Sequence, residues 1–163
     1  SGIGQVGLAR HSNATASRHL GTVEPGESEA IVSHVDFHAS FAAMTGQPLA
    51  PKEAPDSMNV LDALLGKNRH GRDELVVEGT TRKTVLRQND WTYIPPHKGP
   101  AVSKDTNTEL GNSDEPQLYN LALDIGQIRN MADEQRDMAD RMAARLDSIL
   151  QGQGTRQAKQ PEE

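Results

Sequence analysis

Cysteine is absent from this chain, aromatic residues are scarce and long apolar runs do not occur. None of the 163 residues is cysteine and 3% are aromatic. The lack of cysteine excludes disulfide bonds, thiolate metal ligands and cysteine nucleophiles, and it leaves the redox compartment undetermined. A membrane-spanning helix needs about 20 apolar residues in a row, so no membrane partner is expected. The first residues also show no signal-peptide pattern.

An excess of positive charge is missing as well. The chain has 17 Lys and Arg residues against 23 Asp and Glu residues, which gives a formal net charge of -6. This balance disfavours a general nucleic-acid-binding protein. Apolar residues make up 34% of the chain and the mean hydropathy is -0.68, so a small core is expected. The length is typical of one domain, since about 100–200 residues per domain are usual.

Two short helices are predicted in residues 21–66, which we interpret as a connector. Asp36 is a suitable N-cap for the first helix, and Gly46 is a suitable stop. Three apolar residues recur at helical spacing in it: Phe37, Phe41 and Met44. The second helix has an apolar face and ends before Gly66, its apolar residues being Val60, Leu61, Leu64 and Leu65. Residues 1–20 show no periodicity, and we predict a disordered lead-in there.

Strand signals dominate the middle of the chain. Residues 75–77 form a short apolar run, and residues 84–87 and 91–94 flank the turn-forming pair Asn89-Asp90, which predicts a β-hairpin. Residues 117–121 are a fourth strand candidate. The sequence therefore predicts an antiparallel sheet of three to four strands.

A long helix is predicted at the C-terminal end of residues 67–152, followed by a frayed polar tail at 153–163. Most of its apolar residues recur three or four positions apart: Met131, Met138, Met142, Leu146, Ile149 and Leu150. We predict an α+β fold in which this stripe packs on the sheet, after two short helices. The alternative use of the stripe is to bind a partner.

Several clusters invite a functional interpretation that the pattern alone does not favour. His34 and His38 have the spacing of two metal ligands on one helix, but no third ligand is indicated. Asp36 near Ser33 and these histidines resembles a catalytic triad in composition, although helix capping is the favoured role. For Trp91 and Tyr93, sheet packing is favoured over a sugar-stacking platform.

The order of these motifs resembles the C-terminal part of the type I sulfatases, the arylsulfatase-like branch of the alkaline phosphatase superfamily. Six segments carry the resemblance: residues 21–46; 56–61 with 64–66; 72–76; Leu86-Arg87 with Trp91 and Ile94; 117–121 with Asp124, Gly126 and Asn130; and the final helix. Together they cover residues 21–150. Residues 67–152 would then form the sulfatase-like C-terminal subdomain.

The resemblance implies chemistry whose central residues are missing from this sequence. Sulfatases of this family use calcium and a formylglycine, which is made from Cys or Ser in a Cys/Ser-x-Pro-x-Arg pattern. Neither this pattern nor the paired Asp-Asp and Asp-Asn calcium motifs occur here. We therefore expect no cofactor and no catalytic residue in this chain, and a missing sulfatase catalytic domain as its partner.

One loop is a candidate substrate contact. His97 and Lys98 follow the predicted hairpin, and in a complete enzyme this loop could approach the sulfate ester and stabilise negative charge. The alternative, which the residues alone favour, is an ordinary solvated loop.

The sequence thus leads to three functional hypotheses. The first is a subdomain or fragment of a sulfatase that is inactive alone, shapes the substrate cleft and exposes an apolar sheet face where the catalytic domain would lie. The second is a non-enzymatic interaction module that uses the terminal helix. The third is a fragment of a related phosphoester or phosphonate hydrolase. Relatives of the first kind are usually exported, but the sequence itself does not fix a compartment.

Overall fold

The computed structural model describes residue 23 and residues 27–50, 52–78, 83–107 and 110–152. The predicted lead-in (1–20) and tail (153–163) lie outside the described residues. The chain forms two compact units. One comprises Glu74–Asp147, and the described part of the other comprises residues up to 73 together with 148–152.

The first unit contains a four-stranded antiparallel sheet in the order β1-β2-β3-β4. Its strands are Glu74–Glu78 (β1), Thr84–Gln88 (β2), Trp91–Ile94 (β3) and Gln117–Asn120 (β4). Asn89 has a φ of 50°, a left-handed value that Asn tolerates better than most residues, so the Asn89-Asp90 turn joins β2 to β3 as predicted. The predicted α+β class and all four strands are confirmed.

Both faces of this sheet hold buried apolar side chains. The strand register places Val76, Leu86, Tyr93 and Leu118 side by side on one face. Val85, Ile94 and Tyr119 form a buried cluster on the other face. The prediction of an exposed apolar sheet face is therefore wrong for the described residues: the edge strand leaves only Val77 substantially exposed, at 38%.

The C-terminal helix, α3 (Arg136–Gln151), buries the central part of its predicted stripe. Ala139, Met142 and Leu146 are buried, at i, i+3 and i+7 on one face. Arg145 Nε donates to Glu74 Oε2 at 2.9 Å, which ties the helix to strand β1. Because Met142 and Leu146 are already covered within this chain, core packing accounts for them better than partner binding.

The second unit contains two short helices, α1 (Asp36–Met44) and α2 (Leu61–Leu64). Gly46 follows α1 with a φ of 69°, so the predicted stop is confirmed. Asp36 is not the N-cap, because that position belongs to Val35 and Asp36 is the first helical residue. Its carboxylate is buried against Arg72 and so does not cap the helix end.

The apolar residues that recur at helical spacing in α1 do not form its buried face. Asp36, Ala39 and Ser40 face inward, whereas Phe41 and Met44 are 50% and 52% exposed. Helical spacing defines a stripe but not the side of the helix that finds a partner. Here the polar side chains are buried because each of them finds hydrogen-bonding partners inside the unit.

Candidate functional site

The centre of the second unit is a buried ion pair between Asp36 and Arg72. Both side chains are almost fully inaccessible to solvent. Arg72 Nε lies 2.8 Å from Asp36 Oδ2 and 3.0 Å from Oδ1, and Arg72 Nη2 donates to Oδ1 and to the carbonyl of Asp56. The carboxylate also accepts hydrogen bonds from the backbone N–H groups of Ser33 and Met58, each at 2.9 Å. A buried charge pair is tolerated when hydrogen bonds satisfy it in this way.

Two serine hydroxyls extend this network between α1 and the segment before α2. Ser57 Oγ accepts a hydrogen bond from the Ala39 N–H at 2.9 Å. Ser40 Oγ accepts one from the Val60 N–H at 3.0 Å. The two bonds run in opposite directions between the same segments, so they hold α1 and residues 57–60 in a fixed register.

Gly71 allows the chain to approach itself closely beside Arg72. The Arg72 N–H donates to the Ile31 carbonyl at 2.8 Å. A Cβ atom at position 71 would lie 2.2 Å from that carbonyl oxygen. Only glycine fits this approach without a backbone shift.

The arrangement around Asp36 is suited to structural support and not to nucleophilic catalysis. Its carboxylate is occupied by Arg72 and two backbone amides, so the triad with His34 or His38 is wrong. His38 Nε2 lies 3.3 Å from Glu53 Oε1, and the His34 ring packs edge-on against Phe37. In the described parts of the chain, no three His, Cys, Asp or Glu residues are grouped to hold a metal ion.

The predicted substrate loop lies in the first unit and is anchored at its base. The His97 N–H donates to the Ser113 carbonyl at 2.8 Å, forming an isolated β-bridge. His97 Nδ1 is buried and has no hydrogen-bond partner among the described residues. The Lys98 side chain is exposed. Substrate contact by His97 and Lys98 stays a prediction, and the geometry leaves Lys98 accessible for it.

Lys83 anchors the far side of the same loop, and the sequence patterns did not single it out. Only 2% of the residue is exposed. Its buried ammonium is satisfied by hydrogen bonds to the carbonyls of Leu110 (2.9 Å) and Gly111 (2.7 Å) and to Asn112 Oδ1 (3.2 Å). Asn112 Nδ2 in turn donates to the Pro100 carbonyl at 2.9 Å. Burial lowers the pKa of Lys83, because the charged form loses hydration. Lys83 thus fixes the loop that carries His97 and Lys98.

Tyr93 has no free ring face to offer a sugar. It is buried, and its phenol pKa is raised first by burial and then by the negative charges of Asp147 and Asp140 on α3. Trp91 is half-buried. Packing within the unit is therefore the role the structure gives Tyr93, as the sequence favoured.

The sequence of this chain is similar to that of a known protein over most of its length. No model of a known protein family matches the chain. The chain is 35% identical over 127 residues to the N-acetylgalactosamine-6-O-sulfatase of Bacteroides thetaiotaomicron, a match that covers 78% of this chain and 25% of that protein.

The fold of this chain is also similar to parts of solved structures. One is a Bacteroides thetaiotaomicron protein from a core genetic locus for the metabolism of multiple glycosaminoglycans, with 34% identity and a TM-score of 0.75 over 78% of this chain and 27% of that one. Another is the yidJ protein of Bacteroides fragilis, with 16% identity and a TM-score of 0.53. That match covers 79% of this chain and 27% of the yidJ chain, and it supports the fold alone.

The chain is related to the sulfatases and corresponds to their C-terminal part. It spans about a quarter of the length of the curated relative it matches. No helix in the described part of the chain combines the length and apolarity that a bilayer crossing requires.

Proposed function

We propose that this chain acts as the C-terminal part of a sulfuric ester hydrolase, where it packs on the catalytic domain and shapes the substrate cleft. The observation that carries the proposal is the 35% identity to a sulfatase that extends over 78% of this chain but 25% of the relative. The nucleophile and the metal would then belong to the remaining part of such a protein.

The composition of the chain supports its inactivity in isolation. It contains no cysteine and no Ser-x-Pro-x-Arg sequence, so it offers no residue in the pattern from which a formylglycine is made. Calcium in proteins takes six to eight oxygen ligands, many of them carboxylates. The described residues group no three acidic or histidine side chains for it, so this segment does not fit the calcium site and would leave it to the catalytic domain.

The anchored loop is the part of the chain we assign to the cleft. Lys83 and Ser113 fix its base, which leaves Lys98 exposed at a defined place. A sulfate ester carries negative charge that grows on its oxygens during hydrolysis, and a positioned ammonium or imidazole N–H stabilises it. The name of the relative suggests a sulfated amino sugar as the substrate class, bound with the help of His97 and Lys98.

The test compares the chain alone with a chimera. In the chimera, this chain replaces the aligned C-terminal part of the Bacteroides thetaiotaomicron N-acetylgalactosamine-6-O-sulfatase. We expect no hydrolysis of an aryl sulfate or of 6-O-sulfated N-acetylgalactosamine by the isolated chain. We expect hydrolysis by the chimera, and none by the same enzyme truncated at the junction.

Three results count against the proposal. Sulfate release by the isolated chain would show that it holds its own catalytic site. A truncated enzyme as active as the chimera would show that the segment is dispensable. A chimera that cleaves an aryl phosphate but no sulfate ester would favour the related phosphoester hydrolases instead.

A further inference from the structure

The exposed side of α1 carries an unusual share of the aromatic residues of this chain. The protein has only two phenylalanines, and Phe37 and Phe41 both lie on this helix. Their rings stack with centroids 5.5 Å apart and planes 22° apart, and the His34 ring packs edge-on against Phe37 at 5.5 Å. Met44 continues the row one turn further along. We call these four side chains the α1 aromatic face.

This face is poorly covered, whereas another side of the helix is buried at Asp36, Ala39 and Ser40. Phe41 and Met44 are 50% and 52% exposed, while Asp36 and Ser40 on the neighbouring side are fully buried. Large apolar side chains contribute most of their stabilisation when they leave water, about 1.5–3 kcal/mol for each full burial. Exposed apolar side chains that cluster on one face of a helix are candidates for an interaction surface.

The buried side of α1 is fixed, so the helix cannot turn this face inward. The Asp36–Arg72 ion pair and the Ser40–Val60 hydrogen bond determine its rotation. Rotation of the aromatic residues into the unit would break the ion pair and leave its charges unpaired in the interior. A rotation of the helix therefore cannot bring the α1 aromatic face into the unit.

We propose that the α1 aromatic face is the surface on which the catalytic part of a sulfatase docks, an inference that rests on the proposed function. The aligned segment is only 25% of the length of the sulfatase relative. The other three quarters of that protein are long enough to contain a domain that packs on this face. An apolar surface of that part packs on Phe37, Phe41 and Met44. A second copy of this chain is the competing occupant, and the experiment separates the two.

The absence of cysteine provides a direct probe of this contact. Phe41→Cys introduces a single thiol into the isolated chain, at a position whose side chain is half-exposed. Ala43→Cys is the matched control, because Ala43 is exposed and lies two residues from Phe41, about 160° away around the same helix. A maleimide labels each variant in the isolated chain and in the chimera described above, and mass spectrometry of the α1 peptide gives the rate.

We expect Phe41→Cys to label more slowly in the chimera than in the isolated chain by about tenfold or more, and Ala43→Cys to change by less than about twofold. Equal labelling of Phe41→Cys in the two contexts would overturn the docking proposal. A protected thiol in the isolated chain, together with a dimer in sedimentation velocity, would also overturn it in favour of a second copy.

The labelling result and the activity result fail independently. An active chimera with an unprotected Phe41→Cys keeps the proposed function and removes the docking surface. An inactive chimera with a protected Phe41→Cys supports the docking surface and counts against the proposed function.

Discussion

The Arg72 guanidinium binds both carboxylate oxygens of Asp36 across 36 positions of sequence, and this pair lies at the centre of the unit that carries α1. The same guanidinium donates to the Asp56 carbonyl, and the Arg72 N–H donates to Ile31. One residue thus connects three stretches of chain around positions 31, 36 and 56. This network explains why a polar side of α1 is buried while its aromatic side faces out.

Substitution of Arg72 by alanine should lower the free energy of unfolding far more than substitution of a surface arginine. Arg72→Ala leaves the Asp36 charge buried without its partner, and such a change costs about 3–5 kcal/mol. Arg136→Ala is the control, since Arg136 lies 3.7 Å from Asp133 in an exposed pair worth less than about 1 kcal/mol. Urea unfolding followed by circular dichroism, with hydrogen exchange at the Ala39 and Val60 amides, measures both. Similar losses in the two variants would contradict the role assigned to the buried pair.

Gly71 should tolerate no side chain. In Gly71→Ala the new Cβ lies 2.2 Å from the Ile31 carbonyl oxygen, so the backbone must move and the Arg72–Ile31 hydrogen bond weakens. We expect a destabilisation of about 1–3 kcal/mol, the usual cost of overpacking.

Gly126→Ala is the control for this substitution. Its nearest neighbour is the end of the Ile128 side chain at 3.3 Å, and that side chain is 84% exposed and free to shift. Thermal unfolding midpoints compare the two variants. If Gly71→Ala melted at the same temperature as Gly126→Ala, the close approach at Ile31 would not constrain the fold.

Local signals predicted the sheet well because its determinants are neighbours in sequence. The hairpin depends on Asn89, whose side chain tolerates the left-handed turn, and on the alternating residues beside it. The end of α1 depends on Gly46 in the same way. Both features are decided within a few residues, which is the range that a pattern covers.

The candidate site was harder to predict because its partners are far apart. Asp36 has the composition of an N-cap, and only Arg72, 36 positions later, reveals its buried role. Helical periodicity found Phe37 and Phe41 but could not assign the buried side of the helix. Lys83 carries no local motif, since its acceptors lie 27 to 29 positions away. The one available signal was the resemblance, whose motifs at 21–46, 56–61 and 72–76 supply Asp36, the Asp56 carbonyl and Arg72.

Ionisation of Tyr93 should lower the free energy of unfolding at alkaline pH. Burial and the charges of Asp147 and Asp140 raise its pKa in the folded state above the ordinary value of 10.0. The unfolded chain therefore loses this proton first, so the stabilisation is complete below about pH 10 and is lost as the pH rises through the folded pKa. Tyr93→Phe should remove this part of the alkaline loss, as measured by urea unfolding at neutral and alkaline pH.

The second tyrosine gives a direct check of the Tyr93 pKa. The chain has two tyrosines, so Tyr119→Phe leaves Tyr93 alone to produce a phenolate absorbance. Its titration midpoint should lie above 10.0 in the folded protein and return to about 10 in urea. A folded midpoint at or below the value in urea would show that neither burial nor α3 acts on the phenol.

The loop that we assign to the substrate cleft should contribute to catalysis through His97 and Lys98. In the active chimera, Lys98→Ala and His97→Ala should each lower kcat/KM for 6-O-sulfated N-acetylgalactosamine by about tenfold, because each removes a group that stabilises negative charge. Lys104→Ala is the control for net charge, since Lys104 is exposed further along the same loop. Its kcat/KM should stay within about twofold of the unmodified chimera. If Lys98→Ala and Lys104→Ala lowered kcat/KM equally, the effect of Lys98 would come from net charge alone and not from its position. If both His97→Ala and Lys98→Ala kept the kcat/KM of the unmodified chimera, neither residue would contact the substrate.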